Sequence, residues 1–362
     1  MPLPQFMLST LFLLVVLILL YDKRALRGVG YKRYFNRTQA YEGDTVEMVE
    51  EIVNAKLLPL TWLRLESAVP AGLQFGSQEN LSVSSGEISQ NHNSLFYLKP
   101  YRHIRRRHTV TCAQRGIYLL ESATMTTGDP LGFTKKVRRY PLELHLTVYP
   151  SCLELEDLPL PVHGWLGELP VKRWIMEDPF LQAGTREYAP GDPFHRIHWK
   201  ASARTGILQV HKKGTTADSK LVVCLNVEDS AGMWRNATDI SRIERGIRYA
   251  ATVITYALHN GIQTGLISNG RLPGAEEREP AVVEPVYDQE ALLGALAGLL
   301  LDRSLPMDRL IEERLEMGET SADYLLITCH RGPLLEAAAA KLEAAGNGVE
   351  WLMIPEEGGE GR

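Results

Sequence analysis

The first twenty-odd residues constrain this chain more than any other stretch. Phe6 to Tyr21 is an apolar run broken only by Ser9 and Thr10, and Leu11 to Leu20 holds no polar residue. From Pro2 onward about 20 residues pass without a charged side chain, enough for a helix to cross roughly 30 Å of hydrocarbon. A secretory signal would need a basic amino-terminal region and a small-residue cleavage site, and neither is present. A core helix of a soluble domain would normally carry polar residues on one face. The expectation is a transmembrane helix over residues 3–21. Behind it come Lys23, Arg24, Arg27, Lys32, Arg33 and Arg37. By the positive-inside tendency, this places the bulk of the chain in the cytoplasm as a single-pass protein of the cell membrane, with the lipid bilayer as its first partner.

The 362 residues are otherwise of globular composition, 44% hydrophobic and 23% charged, which excludes a multi-span membrane protein and wholesale disorder. A formal net charge of −5 removes a whole-protein basic footprint, so no nucleic acid is expected. Cys112, Cys152, Cys224 and Cys329 lie far apart without a C-x-x-C, which fits neither a zinc site nor a dense disulfide framework.

Residues 38–150 read as a β-rich domain. Thr45 to Val53 alternates polar and apolar residues after the turn signal Glu42-Gly43-Asp44, and similar short strands are expected at 61–65, 95–98, 108–112, 116–121 and 142–148. Such spacing predicts an antiparallel β-sandwich-like module. Arg102, Arg105, Arg106 and Arg107, joined by Lys135, Lys136, Arg138 and Arg139, form a basic patch. It reads either as a solvated strand face or as an anionic-surface binder meeting lipid head groups.

Residues 151–218 hold the most informative motif and link the two main domains. In it, Ala189-Pro190-Gly191-Asp192 is a turn, with Pro presetting φ and Gly taking positive φ, and Asp192 can accept backbone N–H groups. Arg196 to Lys200 alternates, so an extended chain puts Arg196, His198 and Lys200 on one face and a buried Trp199 with Ile197 on the other. Thr205-Gly206 is a second turn before a return strand at 207–210. Asp192, His198 and Ser202 could be arranged as a hydrolase triad, although no G-x-S-x-G elbow occurs. An arginine–carboxylate network of Arg186, Glu187, Asp192, Arg196 and Arg204 is the simpler account. His195 and His198 have no cysteine beside them to suggest a metal.

The run R-E-Y-x-x-G-D-x-x-x-R-I-H-W-K-A-S-A-R-T-G, carrying Arg186, Glu187, Tyr188, Gly191, Asp192, Arg196, His198, Trp199, Lys200, Ser202 and Arg204, resembles the signature of domain-of-unknown-function family 58. Arg115-Gly116-Ile117-Tyr118, Asp129-Pro130-Leu131-Gly132-Phe133 and Val148-Tyr149-Pro150 fit the same resemblance. It implies a prokaryotic membrane-anchored protein with a β-rich region and a von Willebrand factor A-like domain, encoded beside a MoxR-type AAA+ ATPase. It carries over no catalytic residues. Many members begin with two adjacent spans; this sequence shows one.

Residues 219–355 alternate strands and helices. Strands are expected at 221–225, 262–268, 324–328 and 349–354, and helices at 239–260, 289–301 and 334–345. Asp239 or Thr238 could cap the first helix and Asn260-Gly261 close it. The pattern predicts a Rossmann-like parallel sheet covered on both faces, in agreement with the A-type domain that the resemblance implies. The fold class is therefore α/β plus all-β. A-type domains hold a divalent cation through D-x-S-x-S after their first strand. Here Asn226, Glu228 and Ser230 occupy those places, and Thr328-Cys329-His330 lacks the later Asp, so the site reads as a degenerate one for a divalent cation, with no other cofactor expected. Arg271 to Pro285 is a charged, proline-bearing loop and candidate contact. Residues 356–362 read as a disordered tail.

These features predict a non-enzymatic interaction or assembly protein; the family resemblance alone implies that it works with a MoxR-type AAA+ ATPase and other membrane or secreted-protein assembly factors. The chain has no glycine-rich phosphate loop, so ATP hydrolysis would come from the partner. The alternatives are a hydrolase using the Asp192, His198 and Ser202 neighbourhood, or the anionic-surface binder.

Overall fold

A computed structural model describes residues 3–76, 81–85, 89–159, 177–188, 197–215, 220–230, 233–318 and 322–356. The chain divides into two units, Met1–Ser151 with Leu296–Gly298, and Cys152–Ala295 with Leu299–Arg362.

The first unit opens with helix α1 (Leu3–Arg24). Its side chains are mostly exposed up to Leu20, and it is long and apolar enough to cross a membrane. Its final turn behaves differently: Tyr21, with Ala25 and Leu26 just beyond the helix, enters the core of the β-rich module. That module holds β1 (Val29–Phe35), β2 (Gln39–Tyr41), β3 (Thr45–Asn54), β4 (Leu60–Pro70), β5 (Leu73–Phe75), β6 (Leu81–Ser85), β7 (Ser89–Leu98), β8 (His103–Cys112), β9 (Gly116–Gly128) and β10 (Lys135–Tyr149). They form a four-stranded sheet β1-β3-β8-β5 and a six-stranded sheet β2-β10-β9-β4-β7-β6, whose inner faces share their apolar clusters. Pairing is antiparallel except between β2 and β10, which run parallel and make the larger sheet mixed.

Two sequence expectations change here. β1 lies inside the stretch read as a basic cluster, because Val29, Tyr31, Arg33 and Phe35 face inward while Lys32 faces out. The basic patch is not one surface. Alternation along β8 sends Arg105 and Arg107 outward and turns Arg106 in, where it covers the Phe96 ring at 5.0 Å and donates to Ser94 Oγ at 3.1 Å. Arg139 belongs to the other sheet, opposite Thr124.

Inward positions along β1, β3 and β4 read apolar, polar, apolar, so a buried polar layer separates two apolar clusters. Arg33 and Glu50 sit opposite each other in register. Arg33 donates through Nε at 3.0 Å and through Nη2 to Glu50 Oε1, and through Nη1 to Ser67 Oγ at 3.0 Å. Tyr31 Oη donates to Glu50 Oε1 at 2.9 Å, and His108 Nε2 lies 3.0 Å from Oε2. His92 shares the layer with its ring edge-on to Phe75, 4.1 Å between centroids. Burial, then the Arg33 charge, pushes His92 down to about 4. An unfolded histidine titrates near 6.5 and binds more protons than the folded one across that window, so stability falls as pH drops from 6.5 to 4. Replacing His92 with Gln is expected to flatten this part of the stability–pH profile, read as urea midpoints across a pH series. An unchanged slope would assign the dependence elsewhere.

In the second unit, β11 (Glu177–Glu187) and β12 (Gln209–Thr215) form an antiparallel pair. A five-stranded sheet follows, built from β13 (Lys220–Leu225), β14 (Gln263–Ser268), β15 (Ala281–Val286), β16 (Asp323–Thr328) and β17 (Gly348–Met353) in the order β15-β14-β13-β16-β17. All neighbours are parallel except β15, which runs antiparallel at the edge. Helix α3 (Ile240–His259) covers one face, its Gly246 lying so close that a Cβ would collide with Ile354 Cδ1. On the other face α5 (Met307–Glu316) and α6 (Pro333–Ala344) pack on Val222, Cys224, Tyr324 and Leu326. Helix α4 (Gln289–Gly298) follows β15. Asp239 caps α3 by accepting the Arg242 N–H at 3.1 Å. The expected loop over 271–285 is corrected: its last third belongs to β15, which tolerates Pro285 because an edge strand leaves one row of backbone groups unpaired. Helix α5, largely charged in sequence, is not among the helices that the apolar periodicity predicts.

Candidate functional site

The central motif begins where β11 pairs back onto β12. Arg186 stands opposite Val210 and Glu187 opposite Gln209, and Tyr188 N–H donates to Leu208 O at 2.8 Å. The side chains of Arg186 and Glu187, and all of Gly191, Asp192, His195 and Arg196, lie outside the described residues. Ile197 bridges to Val210 and is buried. From there the structure departs from the expected strand. Trp199–Thr205 is helix α2, so Trp199 does not share a face with Ile197 and is 67% exposed rather than buried. Alanines at 201 and 203 favour helix, and both ends are capped. His198 Nδ1 accepts the Ala201 N–H at 3.1 Å, and Gly206 closes the helix in the left-handed region at φ +73°.

Ser202 ties this helix to the strand after it. Its hydroxyl donates to His198 O at 3.0 Å and accepts the Gln209 N–H at 2.8 Å. His198 and Ser202 are thus neighbours joined through backbone groups, with the imidazole Nδ1 turned to the cap. Lys200 and Arg204 are exposed on α2. Ser202→Ala orphans the Gln209 N–H and is expected to destabilise by about 1–2 kcal/mol, seen as a lower urea midpoint at unchanged slope.

A second constellation lies at the carboxyl ends of the parallel strands. The chain leaves β13 toward β14 on one side, while β16 lies on the other, so the strand order switches direction between β13 and β16. Crevices at such points are where open α/β sheets place ligands. Asn226, just after β13, is fully buried. Its Oδ1 accepts Glu228 N–H at 3.0 Å and Asn269 Nδ2 at 2.9 Å, and its Nδ2 donates to Thr328 Oγ1 at 3.2 Å. Asn269, just after β14, accepts Val227 N–H at 2.9 Å, and Thr328 donates to His330 O at 2.9 Å. One asparagine amide therefore cross-links three strand ends.

Glu228 turns the other way and pairs with Arg303, Nη1 to Oε1 at 3.0 Å, while Arg303 Nη2 donates to Trp234 O at 2.8 Å. The Trp234 ring is 88% exposed. Asp229 organises the loop into α3: its carboxylate accepts Thr238 Oγ1 at 2.6 Å, Asp239 N–H at 3.0 Å and Ser230 Oγ at 3.0 Å. Burial raises its pKa, but hydrogen bonds led by Thr238 bring it down to about 2.

This geometry tests the cation expectation. Asn226 Oδ1 is occupied by two donors, Glu228 by a guanidinium, and Ser230 by Asp229. Mg²⁺ would need several oxygens converging near octahedral geometry. Asn226, Glu228 and Ser230 are each engaged by a different partner, and among the described residues no three His, Cys, Asp or Glu side chains gather as a metal set. The donor set does not fit a divalent ion. The D-x-S-x-S template does not reach Asp229, Asn269 or Arg303, and it picks out Thr328 only as part of the strand end that lacks the later Asp. Asp229 falls between template positions, and the others are remote in sequence.

Comparison with known proteins finds a relative 24% identical over 341 residues, the "Uncharacterized protein YeaD" of Bacillus subtilis (strain 168), covering 92% of this chain and 78% of that one. Among solved structures, a cohesin module from a Clostridium perfringens ATCC13124 family 33 glycoside hydrolase matches at TM-score 0.24 and 10% identity, over 34% of this chain and 98% of that one. The ASH / PapD-like domain 7 of human CEP192 matches at TM-score 0.21 and 15% identity, over 34% and 87%. The pieces at Arg115–Tyr118, Asp129–Phe133 and Val148–Pro150 fall outside the span that a family model matches. Residues 184–280, which contain the whole Arg186–Gly206 motif, match the family described as "Protein of unknown function DUF58".

Proposed function

We propose that the protein is a single-pass, membrane-anchored, non-enzymatic interaction protein that works with a MoxR-type AAA+ ATPase, its second unit serving as a von Willebrand A-like module. The observation that most supports this is the strand-end crevice. Its polar side chains are spent on one another, and what it presents outward on the Arg303-tethered loop is the Trp234 ring. Exposed tryptophans are the residue type most enriched at binding hot spots. The 3-2-1-4-5 order is that of an open doubly wound sheet, the class to which the A-type reading belongs. The ATPase is the partner implied by the family resemblance. Helix α1 and the basic residues behind it favour a cell-membrane location with the two units in the cytoplasm.

The test is affinity purification of the full chain from solubilised membranes of its own host. Recovery of an AAA+ ATPase is expected, with Trp234→Ala and Trp199→Ala weakening recovery while leaving stability within about 0.5 kcal/mol of the unsubstituted chain. Repeated recovery without an ATPase would remove this reading. Hydrolytic turnover abolished by Ser202→Ala would replace it with the hydrolase.

A further inference from the structure

Helix α1 passes from solvent-exposed apolar surface to protein core without a linker. Leu3 to Leu20 spans about 27 Å at 1.5 Å per residue, close to the hydrocarbon thickness of a bilayer. The next residue, Tyr21, is already buried, with Oη donating to Pro59 O at 2.9 Å. The exit is clamped further. Lys56 Nζ donates to Arg24 O at 3.0 Å and Arg27 O at 2.8 Å, Lys136 pairs with Asp22 at 2.8 Å, and Arg138 donates to Leu26 O at 3.1 Å. With the helix across a bilayer, the loops around its exit have no slack to leave the membrane surface.

Those loops carry exposed apolar tips. Leu57 between β3 and β4 is 74% exposed, and Tyr101 between β7 and β8 is 70% exposed. Leu131 and Phe133 in the β9–β10 turn are 54% and 73% exposed. The loops are tied to one another: Tyr101 N–H donates to Lys56 O at 3.2 Å, and Asn54 Nδ2 donates to Leu58 O at 3.1 Å and Lys99 O at 3.0 Å. The β9–β10 turn is held from inside. Asp129 accepts Leu131 N–H at 2.8 Å and Thr134 Oγ1 at 2.7 Å, and Trp62 Nε1 donates to Asp129 O at 3.2 Å. Leu131 and Phe133 therefore project outward from a braced turn. Exposed cations flank these tips at Lys23, Arg24, Arg27, Lys99, Arg102 and Lys135. The nearby acids are already engaged, Asp22 in a surface pair with Lys136 and Asp129 by its own turn.

We propose that this rim is a lipid-docking surface: Leu57, Tyr101, Leu131 and Phe133 seat in the interface of an anionic leaflet, and the surrounding cations meet its head groups. The inference rests on the membrane-anchor reading and extends it from a tether to an oriented platform, with the sandwich held against the bilayer. Apolar and aromatic tips ringed by Lys and Arg are the chemistry that interfaces select, and each basic contact is worth about fivefold in affinity for an anionic surface.

The test uses the full chain with Cys152→Ser, which removes the exposed thiol. An environment-sensitive fluorophore is placed at Phe133→Cys, Leu57→Cys, Leu13→Cys in α1, or Leu119→Cys on the outer face of the six-stranded sheet. Each chain is reconstituted into phosphatidylcholine vesicles with or without phosphatidylglycerol, using bromolipid as quencher. Quenching is expected at Leu13, Phe133 and Leu57 but not Leu119. The rim signals should weaken without phosphatidylglycerol or with Arg102→Glu and Lys135→Glu. Quenching at Leu13 with water-exposed labels at Phe133 and Leu57 would overturn the docking surface and leave the anchor standing. No quenching at Leu13 would overturn the anchor, and the docking surface with it.

Discussion

Replacing Glu50 with Ala is expected to lower the unfolding free energy by about 3–5 kcal/mol, read as a fall in urea midpoint at unchanged slope. The size follows from what would be left behind. Arg33 is buried between the sheets and takes its counter-charge from Glu50, which also accepts from Tyr31 and pairs with His108. Removing the carboxylate strands a cation in the core and orphans two further polar groups. The pair itself need not be a large net gain, because both ions were desolvated to make it. Arg33→Met with Glu50→Leu should therefore recover most of the loss. If the double variant is as unstable as Glu50→Ala, the stranded charge is not the cause. The pH dependence gives a second check. Burial raises the Glu50 pKa, but the His108 hydrogen bond and the Arg33 charge outweigh it and hold the carboxyl well below its usual range. A depressed folded-state value means stability that is fully present above the unfolded value of 4.5 and is lost as pH falls below it. The gap between the unsubstituted chain and Glu50→Ala should narrow in acid.

Asn226→Ala is the second large effect, about 2–4 kcal/mol, from buried groups each left unpaired at about 1–3 kcal/mol. The amide accepts from Glu228 N–H and Asn269 Nδ2 and donates to Thr328, so its removal uncouples the ends of β13, β14 and β16 together. Because these oxygens already have donors, Mg²⁺ and EDTA should give the same urea midpoint for the unsubstituted chain. An ion that bound the folded state would raise it by mass action. A Mg²⁺-dependent rise would mean that Asn226, Glu228 and Ser230 rearrange into a cation site.

The helices and strands most legible in the sequence are those whose signal is local. The 3.6-residue period of α3 and its Asp239 cap, the apolar run of β13, and the alternation of β3 all lie within one element. The central motif was legible as a motif but not as a shape. Arg196 to Lys200 alternates like a strand, yet His198 capping and Gly206 at positive φ make Trp199–Thr205 a helix, which exposes Trp199. Strand β15 was obscured by charge and by Pro285, features that an edge strand tolerates and an inner strand does not.

By itself the sequence determined the apolar span, the succession of a β-rich and an alternating α/β region, and the family resemblance centred on residues 186–206. Each of these rests on residues within a few positions of one another. Only the tertiary structure decided which charges go inside and which polar residues form a site. Arg33, Glu50 and His108 become one buried layer, and Asn226, Asn269, Thr328 and Arg303 one crevice, because sheet register and strand order bring together residues that the chain keeps far apart. A charge is tolerable in a core only once its partner has arrived, and that partner is chosen by the fold, not by the neighbouring sequence.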